Sequence, residues 1–303
     1  MEAMILAAGL GTRLRPFSER RPKPLFPVVG KPLVLHILKQ LRSHGFSSVI
    51  INSHYLSEQF SSLLAGEKGV HLQVERDILG TGGGMRLAAS RMGKRPILVV
   101  NGDIFHSIDL ADVYQKHIDS GAPVSLVVHN SPRFNNLGIS PTGRITGLRV
   151  DERHILPEKG DRLLGFSGIH VINPDILKGM PTDCFYDIID LYGELLAGNT
   201  FINGIEVSGH FWSDTGTPED YLDLHRALLT EKSLPLPAGF LRPGEAIYLS
   251  ADVEVGPGVE FHGWASVGSG VRIGRGAKIS RSVVWGGAVI NGDEILEDEI
   301  ITG

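Results

Sequence analysis

A six-residue period in the last fifth of the chain most constrains its fold. Two rows of apolar residues each recur at every sixth position. Because each hexad of such a repeat supplies one short wall of a parallel β-helix, the pattern predicts that solenoid rather than a glycine-rich antiparallel sheet. The first row is Leu249, Val255, Phe261, Val267, Ile273, Ile279 and Trp285, and the second is Val253, Val259, Ala265, Val271, Ala277, Val283 and Val289.

Before residue 129, short apolar runs alternate with segments of helical spacing. A β-α-β-α order predicts a mostly parallel sheet covered by helices on both faces. Such sheets bind ligands at the carboxyl ends of their strands, where the glycines of 9–11 and the polar residues of 101–103 stand. The predicted strands cover 4–8, 49–52, 70–74, 97–100 and 124–128, and the predicted helices cover 32–44, 57–64, 84–91 and 110–120.

The pattern changes after residue 129. Residues 138–149 and 164–172 alternate like antiparallel strands, and residues 185–197 and 217–231 have helical spacing. A proline-rich stretch then precedes the hexads. The sequence thus predicts a Rossmann-like α/β domain with a mixed, mostly parallel sheet over 1–233, a linker over 234–246, and a short C-terminal left-handed parallel β-helix over 247–303.

Composition excludes several classes of protein. The formal net charge of −5 argues against a nucleic-acid or anionic-membrane binder, and a single cysteine, Cys184, excludes an internal disulfide and a cysteine-rich zinc site. No apolar run approaches the roughly 18 residues that span a membrane. Residues 1–8 form an apolar strand without a basic leader, so we expect no signal peptide and a cytoplasmic location.

The first predicted strand runs straight into the turn Gly9-Leu10-Gly11-Thr12-Arg13. Small residues that free backbone N–H groups, with cations close by, suit a polyphosphate. Leu14 stands where a dinucleotide-binding fingerprint has its third glycine, and no P-loop Gly-Lys-Ser/Thr follows. Ten residues after Arg13, Lys23 stands between two prolines.

This combination resembles the nucleotide-sugar pyrophosphorylases, the sugar-1-phosphate nucleotidyltransferases. Their signature is A-(A/G)-G-x-G-(T/E)-R-(L/M)-x-P followed by P-K-(P/E), and every element of it is present in 7–16 and 22–24. The resemblance implies that Arg13 and Lys23 are catalytic, with Lys23 approaching the α-phosphate. It implies further that residues 6–9 contact the base and ribose and that the turn holds the β- and γ-phosphates. The nucleotide-binding residues expected here are Leu6, Ala7, Ala8, Gly9, Gly11 and Thr12.

A second glycine-rich stretch, 79–84, is similar to the family's L-G-T-A-G motif, which recognises the nucleobase. Bare backbone at the start of a helix lets a planar base lie close to main-chain groups. The resemblance therefore implies that Thr81, Gly82 and Gly83 also bind the nucleotide.

Two acidic residues lie in stretches that resemble the family's metal-binding motifs. Asp103 ends an (N/G)-G-D motif just past an apolar strand, and Asp214 lies in a W-x-D-x-G-T-P motif. Carboxylates suit hard divalent cations and leave positions for phosphate oxygens. The resemblance implies that both aspartates bind Mg²⁺.

The sugar-binding segments follow the family less closely. Asn136–Ile139 and 165–171 match the family's sugar-binding positions, which implies contacts from Gly138, Ser167 and Gly168. Phe166 replaces the usual asparagine, and the usual E-K-P motif is missing. These variants resemble N-acetylmuramate-1-phosphate uridylyltransferase-like and mannose-1-phosphate guanylyltransferase-like members, so GTP or UTP is the favoured triphosphate.

The expected reaction joins a nucleoside triphosphate to a sugar 1-phosphate and releases pyrophosphate. A non-catalytic nucleotide-sugar-binding regulatory subunit is an alternative, although such a chain is expected to lose Lys23, Asp103 or Asp214. A hexapeptide-repeat acyltransferase is another, although its long solenoids contrast with seven hexads here, among which His262 is the one histidine. A cytidylyltransferase or retaining glycosyltransferase on a similar fold is a third. The short solenoid makes a homo-oligomer through the β-helix plausible.

Overall fold

A computed structural model describes residues 1–150, 153–155, 159–237, 240 and 244–303. The chain divides into two compact units, which alternate along the sequence. Parts of the predicted linker, 238–239 and 241–243, lie outside the described residues, and the predicted domain limits stay a prediction. The sheet unit comprises Met1–Gly9, Gln40–Gly102 and Ile108–His210, and the β-helix unit comprises Leu10–Lys39, Asp103–Ser107 and Phe211–Gly303.

The described strands and helices follow in chain order. The strands are β1 (Glu2–Leu6), β2 (Pro27–Val28), β3 (Lys31–Pro32), β4 (Ser48–Ser53), β5 (Val70–Val74), β6 (Ile97–Asn101), β7 (Ile104–His106), β8 (Val124–His129), β9 (Asn135–Ile139), β10 (Ile145–Val150), β11 (Arg153–Ile155), β12 (Arg162–Ile172), β13 (Ile202–Glu206), β14 (Trp212–Asp214), β15 (Ile247–Leu249), β16 (Glu254–Val255), β17 (Glu260–Val267), β18 (Arg272–Ile273), β19 (Lys278–Val284), β20 (Val289–Ile290), β21 (Ile295–Glu297) and β22 (Ile300–Ile301). The helices are α1 (Phe17–Arg20), α2 (Leu33–Ser43), α3 (Ser57–Leu64), α4 (Gly80–Ala88), α5 (Leu110–Ser120), α6 (Ile188–Ala197) and α7 (Pro218–Thr230), with 3-10 turns at Thr12–Leu14, Lys23–Leu25 and Pro174–Gly179.

The sheet unit is built on a ten-stranded mixed sheet. Its main path runs β11-β10-β9-β12-β6-β1-β4-β5, with β8 pairing β12 and β13. Strand β1 is parallel to β4 and β6, and β5 is parallel to β4, as the β-α-β-α order predicted. Strand β12 is antiparallel to β6, β8 and β9, which confirms the change of pattern after residue 129.

Two helices begin at residues that cap them. The Thr217 hydroxyl accepts the N–H of Asp220, so α7 begins at Pro218, where a missing N–H costs nothing. Asp109 caps α5 in the same way. The predicted start of the fourth helix at residue 84 was wrong, because α4 begins at Gly80 and includes the glycines in its first turns.

The core of the sheet unit lies between the sheet and its helices. Apolar residues that are less than a tenth exposed come from β1, β4, β6, β8 and the antiparallel strands, and they pack with Met85 of α4 and Tyr192 of α6. Strand β6 shows the pattern of a strand covered on both faces, with four consecutive buried apolar residues, Ile97–Val100. In the described residues no helix is both long and apolar enough to cross a bilayer.

Parallel coils in the β-helix unit confirm the predicted solenoid. Strands β16, β18 and β20 form one wall, and the bent strands β17 and β19 contribute to two further walls with β15, β21 and β22. The buried core contains predicted members of both rows up to residue 279. Leu249 and Val255, the first two members of one row, are 39% and 46% exposed and lie outside this buried core.

After residue 281 the two rows no longer match the residues that face inward, because one coil has seventeen residues instead of eighteen. Phe261 pairs with Ile279, eighteen positions on, whereas Val267 pairs with Val284, seventeen positions on. This shift reverses which side chains face inward, since successive residues of a strand point to opposite faces. Val284 and Ile290 therefore fill the core, and the row members Trp285 and Val289 lie outside it. Val289 is 55% exposed, but Trp285 is buried elsewhere.

Candidate active site

Lys23 joins two carboxylates within the β-helix unit. Its ammonium nitrogen donates to Asp103 Oδ2 at 2.7 Å and to Asp214 Oδ1 at 3.3 Å. The antiparallel pair β7–β14 aligns the two acids, with Asp214 opposite Ile104, and the Thr215 N–H donates to the Asp103 carbonyl. Lys23 itself is 7% exposed and begins a 3-10 turn, with Pro22 before it and Pro24 after it in the chain. The structure thus brings together three of the predicted site residues.

Two neighbouring carboxylates face Lys23 and Arg13 in this cluster. Burial raises the pKa of the Asp214 carboxyl, and the Asp103 charge adds to that rise, while Lys23 and Arg13 oppose it. Like charges on neighbouring carboxylates cost free energy that an added cation relieves. Lys23 supplies one positive charge for two negative ones.

The donor set fits a hard divalent cation. Mg²⁺ is commonly held by one or two carboxylates, with water and substrate phosphates completing its octahedron. Asp103 and Asp214 supply two such oxygen donors. Among the described residues no three His, Cys, Asp or Glu side chains converge.

Arg13 lies beside the acidic pair on an exposed turn. The 3-10 turn Thr12–Leu14 follows Gly11, whose φ of 62° lies in the left-handed region that favours glycine. A Cβ added to Gly216 would stand 2.6 Å from Asp214 Oδ2 and 3.1 Å from an Arg13 Nη atom. The glycine therefore lets the guanidinium and the carboxylate approach each other. Thr12 and Arg13 are exposed and accessible to a ligand.

The sheet unit contains the predicted base and ribose segment. Leu6 ends β1, and Ala7, Ala8 and Gly9 follow at the carboxyl end of the parallel strands. The Leu6 carbonyl accepts the Gly102 N–H at 2.8 Å, and Gly9 is exposed with open space where a Cβ would be. This is the edge at which parallel sheets bind ligands.

The predicted base-reading glycines have partners within the protein. The N–H groups of Gly82 and Gly83 both donate to the Tyr186 carbonyl, at 2.9 and 3.0 Å, and the Thr81 hydroxyl donates to Asp187. A Cβ on either glycine would stand within 2.9 Å of the segment 180–188 or of Leu79. Close packing of α4 against this segment explains the glycines structurally. Nucleotide binding by Thr81, Gly82 and Gly83 stays a prediction.

Sequence reasoning missed two buried polar residues beside this segment. Asn52 Oδ1 accepts the Ala7 N–H at 2.7 Å, and Asn52 Nδ2 donates to Glu75 Oε1 at 2.7 Å. Glu75 also accepts the Leu79 N–H, and burial raises its pKa while the bond from Asn52 lowers it. The network links the end of β1 to the start of α4. Its signal in the sequence is a polar residue at the carboxyl end of each of two neighbouring apolar strands.

The predicted sugar residues lie in the antiparallel part of the sheet unit. Gly138 is buried in β9 opposite Leu163, and the Ser167 hydroxyl is fully buried and donates to the Val127 carbonyl. Gly168 has φ 78° at a bulge of β12, beside Asn101. Bulges of this kind occur next to active sites. Because the Ser167 hydroxyl is bonded to the neighbouring strand, a sugar contact here would use backbone groups. Sugar binding by Gly138, Ser167 and Gly168 stays a prediction.

An acidic pair that shares a nearly buried lysine suits the binding of phosphate groups through a cation. The chain belongs to the nucleotidyl transferase family, because the model of that family matches residues 2–231. It is therefore a nucleotidyltransferase, as the motifs of residues 7–24 predicted.

Named relatives agree with both predicted subgroups. A mannose-1-phosphate guanylyltransferase of Mycobacterium tuberculosis is 28% identical over 320 residues, covering 98% of this chain and 83% of its own. An N-acetylmuramate alpha-1-phosphate uridylyltransferase of Neisseria meningitidis is 32% identical over 227 residues, covering 72% of this chain and 94% of its own. The crystal structure of HddC from Yersinia pseudotuberculosis complexed with GMP-PN has a TM-score of 0.59 at 23% identity, covering 74% of this chain and 97% of that one, and supports the α/β fold.

Proposed function

We propose that this nucleotidyltransferase joins a nucleoside triphosphate to a sugar 1-phosphate. An oxygen of the sugar phosphate attacks the α-phosphorus, the bond from that phosphorus to the bridging oxygen breaks, and pyrophosphate leaves. No general base is needed, because the attacking oxygen is already anionic. The observation that supports this reaction best is the cluster of Lys23 with Asp103 and Asp214, since phosphoryl transfer depends mainly on positioning and charge stabilisation.

In this proposal Lys23 and Arg13 divide the triphosphate between them. Lys23 donates to a non-bridging α-phosphate oxygen and stabilises the charge that spreads there. Arg13, with the backbone of Gly11 and Thr12, holds the β- and γ-phosphates and so orients the leaving group. Because Lys23 is nearly buried, its attraction for the phosphate is screened less than that of an exposed lysine.

The proposed cofactor is Mg²⁺, held by Asp103 and Asp214. When bound, this ion supplies Lewis-acid neutralisation at the phosphate oxygens. Asp103 and Asp214 would each exchange part of their bonding with Lys23 for that role, and the freed ammonium N–H groups would then point at substrate.

The proposed triphosphate is GTP or UTP. The relatives that support this choice are a guanylyltransferase and uridylyltransferases. Asn52 and Glu75 hold the backbone of Ala7 and Leu79 in place through hydrogen bonds. We assign the binding of the base and ribose to the segment that contains Ala7, namely Leu6, Ala7, Ala8 and Gly9. The sugar is proposed to lie against the backbone of Gly138 and Gly168.

A non-catalytic regulatory subunit is expected to have lost at least one of the proposed catalytic or metal-binding residues. Lys23, Asp103 and Asp214 are all present and bonded to one another, which favours catalysis. A homo-oligomer through the β-helix remains a proposal, for which the support is that its sheets end in strands paired on one side. Sedimentation of the protein at several concentrations would test it.

Pyrophosphate release tests the proposed reaction. Each common nucleoside triphosphate is paired with glucose, mannose and N-acetylmuramate 1-phosphates, in the presence of Mg²⁺. We expect turnover with GTP or UTP and at least one sugar phosphate. Absence of pyrophosphate from every pair, with a folded protein, would favour the regulatory alternative.

A further inference from the structure

Trp285 leaves the β-helix core and packs on the segment that carries Lys23. The seventeen-residue coil turns its indole outward, yet the residue is only 2% exposed. Its ring meets Phe26 edge-on, with centroids 4.7 Å apart, and the Arg21 guanidinium lies 4.8 Å from the ring centroid. The indole N–H donates to the Tyr221 hydroxyl at 3.2 Å.

Phe26 transmits this contact directly to the lysine turn. Its N–H donates to the Lys23 carbonyl at 3.0 Å, which closes the 3-10 turn Lys23–Leu25. Arg21 precedes the same turn by two residues. Trp285 therefore touches the chain on both sides of Lys23.

The hairpin that follows the lysine turn is held in the same way. The Tyr221 hydroxyl, itself bonded to Trp285, donates to the Pro27 carbonyl, and the Val29 N–H donates to His225 Nε2. These groups come from α7, which also packs against β17 and β19.

A second aromatic residue of the β-helix closes the hairpin turn. Gly30 has φ 76°, and a Cβ there would stand 2.3 Å from the Tyr248 hydroxyl oxygen. Tyr248 therefore lies directly against the turn backbone. Segment 21–30 is thus covered by two β-helix side chains and by α7.

We propose that Trp285 is a positioning residue for Lys23, acting through Phe26 and Tyr221 with Tyr248 in support. The β-helix holds the lysine turn where the ammonium reaches both Asp103 and Asp214. A lysine has a long, flexible side chain, so the geometry at phosphate depends on where its backbone is fixed. Displacing a reacting group by about 1 Å can cost on the order of 10²-fold in rate. The inference rests on the proposed role of Lys23 in transfer.

A merely structural Trp285 would give a different result. Loss of packing would lower the unfolding temperature and leave turnover per folded molecule unchanged. A positioning role instead lowers kcat, and the loss disappears once Lys23 is removed, since residues that act as a unit are not additive.

The test is a double-mutant cycle on the full chain. Trp285→Ala, Lys23→Ala and the double variant are compared by pyrophosphate release at saturating substrates, with Trp285→Phe as the conservative variant should alanine prevent folding. Ile279→Ala is the matched control, because Ile279 is fully buried in the β-helix core. We expect Trp285→Ala to lower kcat roughly 10- to 100-fold, Trp285→Phe to recover most of it, and the double variant to match Lys23→Ala.

Hydrogen exchange of segment 22–30 supplies a readout that does not need turnover. We expect Trp285→Ala to speed exchange of the Leu25 and Phe26 amides more than Ile279→Ala does. Equal exchange in the two variants, or a kcat of Trp285→Ala equal to that of Ile279→Ala, would overturn the positioning role. If wild-type protein gave no turnover while the exchange difference appeared, the proposed reaction would fail and the structural coupling would stand.

Discussion

Lys23 Nζ lies 2.7 Å from Asp103 Oδ2, although the two residues are far apart in the sequence. The same ammonium lies 3.3 Å from Asp214 Oδ1. The nearly buried lysine and the two acids that share it are charged groups at the place where the triphosphate and the cation are proposed to bind. The predictions below follow from this arrangement and from the network around it.

Asp103→Asn removes one proposed metal ligand while keeping the size of the side chain. We expect turnover to fall by about 10²-fold or more, in line with the loss of one charge-stabilising group, with little change in the unfolding temperature. Asp112→Asn is the control, because Asp112 is half exposed on α5 and pairs with Lys116. Turnover near the wild-type value, measured by pyrophosphate release, would remove Asp103 from the site.

Chelation tests the proposed cofactor. We expect EDTA to abolish pyrophosphate release and added Mg²⁺ to restore it, while Asp214→Asn raises the Mg²⁺ concentration needed for half-maximal rate. Asp214 is expected to matter because its carboxylate lies largely buried beside Asp103 and supplies an oxygen donor for the ion. A rate that is insensitive to EDTA would contradict the assignment.

Asn52→Ala removes the partner of both the Ala7 N–H and Glu75. We expect the free energy of unfolding to fall by about 1–3 kcal/mol, the cost of leaving buried polar groups unpaired. Because Ala7 is in the proposed nucleotide segment, KM for the triphosphate should also rise. Chemical denaturation and initial rates measure the two effects; loss of stability without a change in KM would limit Asn52 to a structural role.

Gly30→Ala places a methyl group against Tyr248 at a left-handed φ. Gly66 has a similar φ, 85°, but open space around it, so Gly66→Ala measures backbone strain alone. We expect Gly30→Ala to lose about 1–3 kcal/mol more than Gly66→Ala, which is the usual cost of overpacking. Tyr248→Ala should recover part of that difference in urea unfolding experiments. Equal losses from the two alanine variants would show that Tyr248 does not fill the space above the turn.

His225 makes stability depend on pH. Burial lowers its pKa from 6.5 to about 4, and its Nε2 accepts the Val29 N–H. Between these values the unfolded chain binds more protons, so His225 contributes stability that is complete above pH 6.5 and is lost as the pH falls. From pH 7 to pH 5 we expect wild-type protein to lose about 2 kcal/mol more than His225→Gln. Parallel urea unfolding curves of the two proteins check this, and an identical pH dependence would refute it.

Most of the fold could be predicted from the six-residue period and from the order of strands and helices along the chain. Strand and helix alternation predicted the parallel strands, and hexads predicted the solenoid as far as residue 279, because these depend on local apolar spacing. The shortened coil was not predictable, since one residue fewer at a corner leaves the six-residue rows intact in the sequence while reversing the faces. The sequence therefore shows Trp285 as one more member of its row, and only the register shows that it lies outside the core.

The site was predicted unevenly for a related physical reason. The Lys23, Asp103 and Asp214 motifs are short and specific, and the structure brings their side chains together. Asn52 lies in β4 and Glu75 directly follows β5, and the role of a polar residue at such a position is ambiguous in the sequence, because only tertiary pairing shows what it bonds. For Gly82 and Gly83 the sequence predicts accessible backbone N–H groups, but it does not predict that both groups donate to the Tyr186 carbonyl.

The central claim is that Lys23 stabilises the charge on the α-phosphate during nucleotidyl transfer. Its most direct test is kcat/KM for pyrophosphate release by Lys23→Gln, with Lys31→Gln on the exposed hairpin as the control of equal charge change. The account predicts a loss on the order of 10²–10³-fold for Lys23→Gln and a near-normal value for Lys31→Gln. A Lys23→Gln protein that folds and retains the wild-type kcat/KM would contradict it.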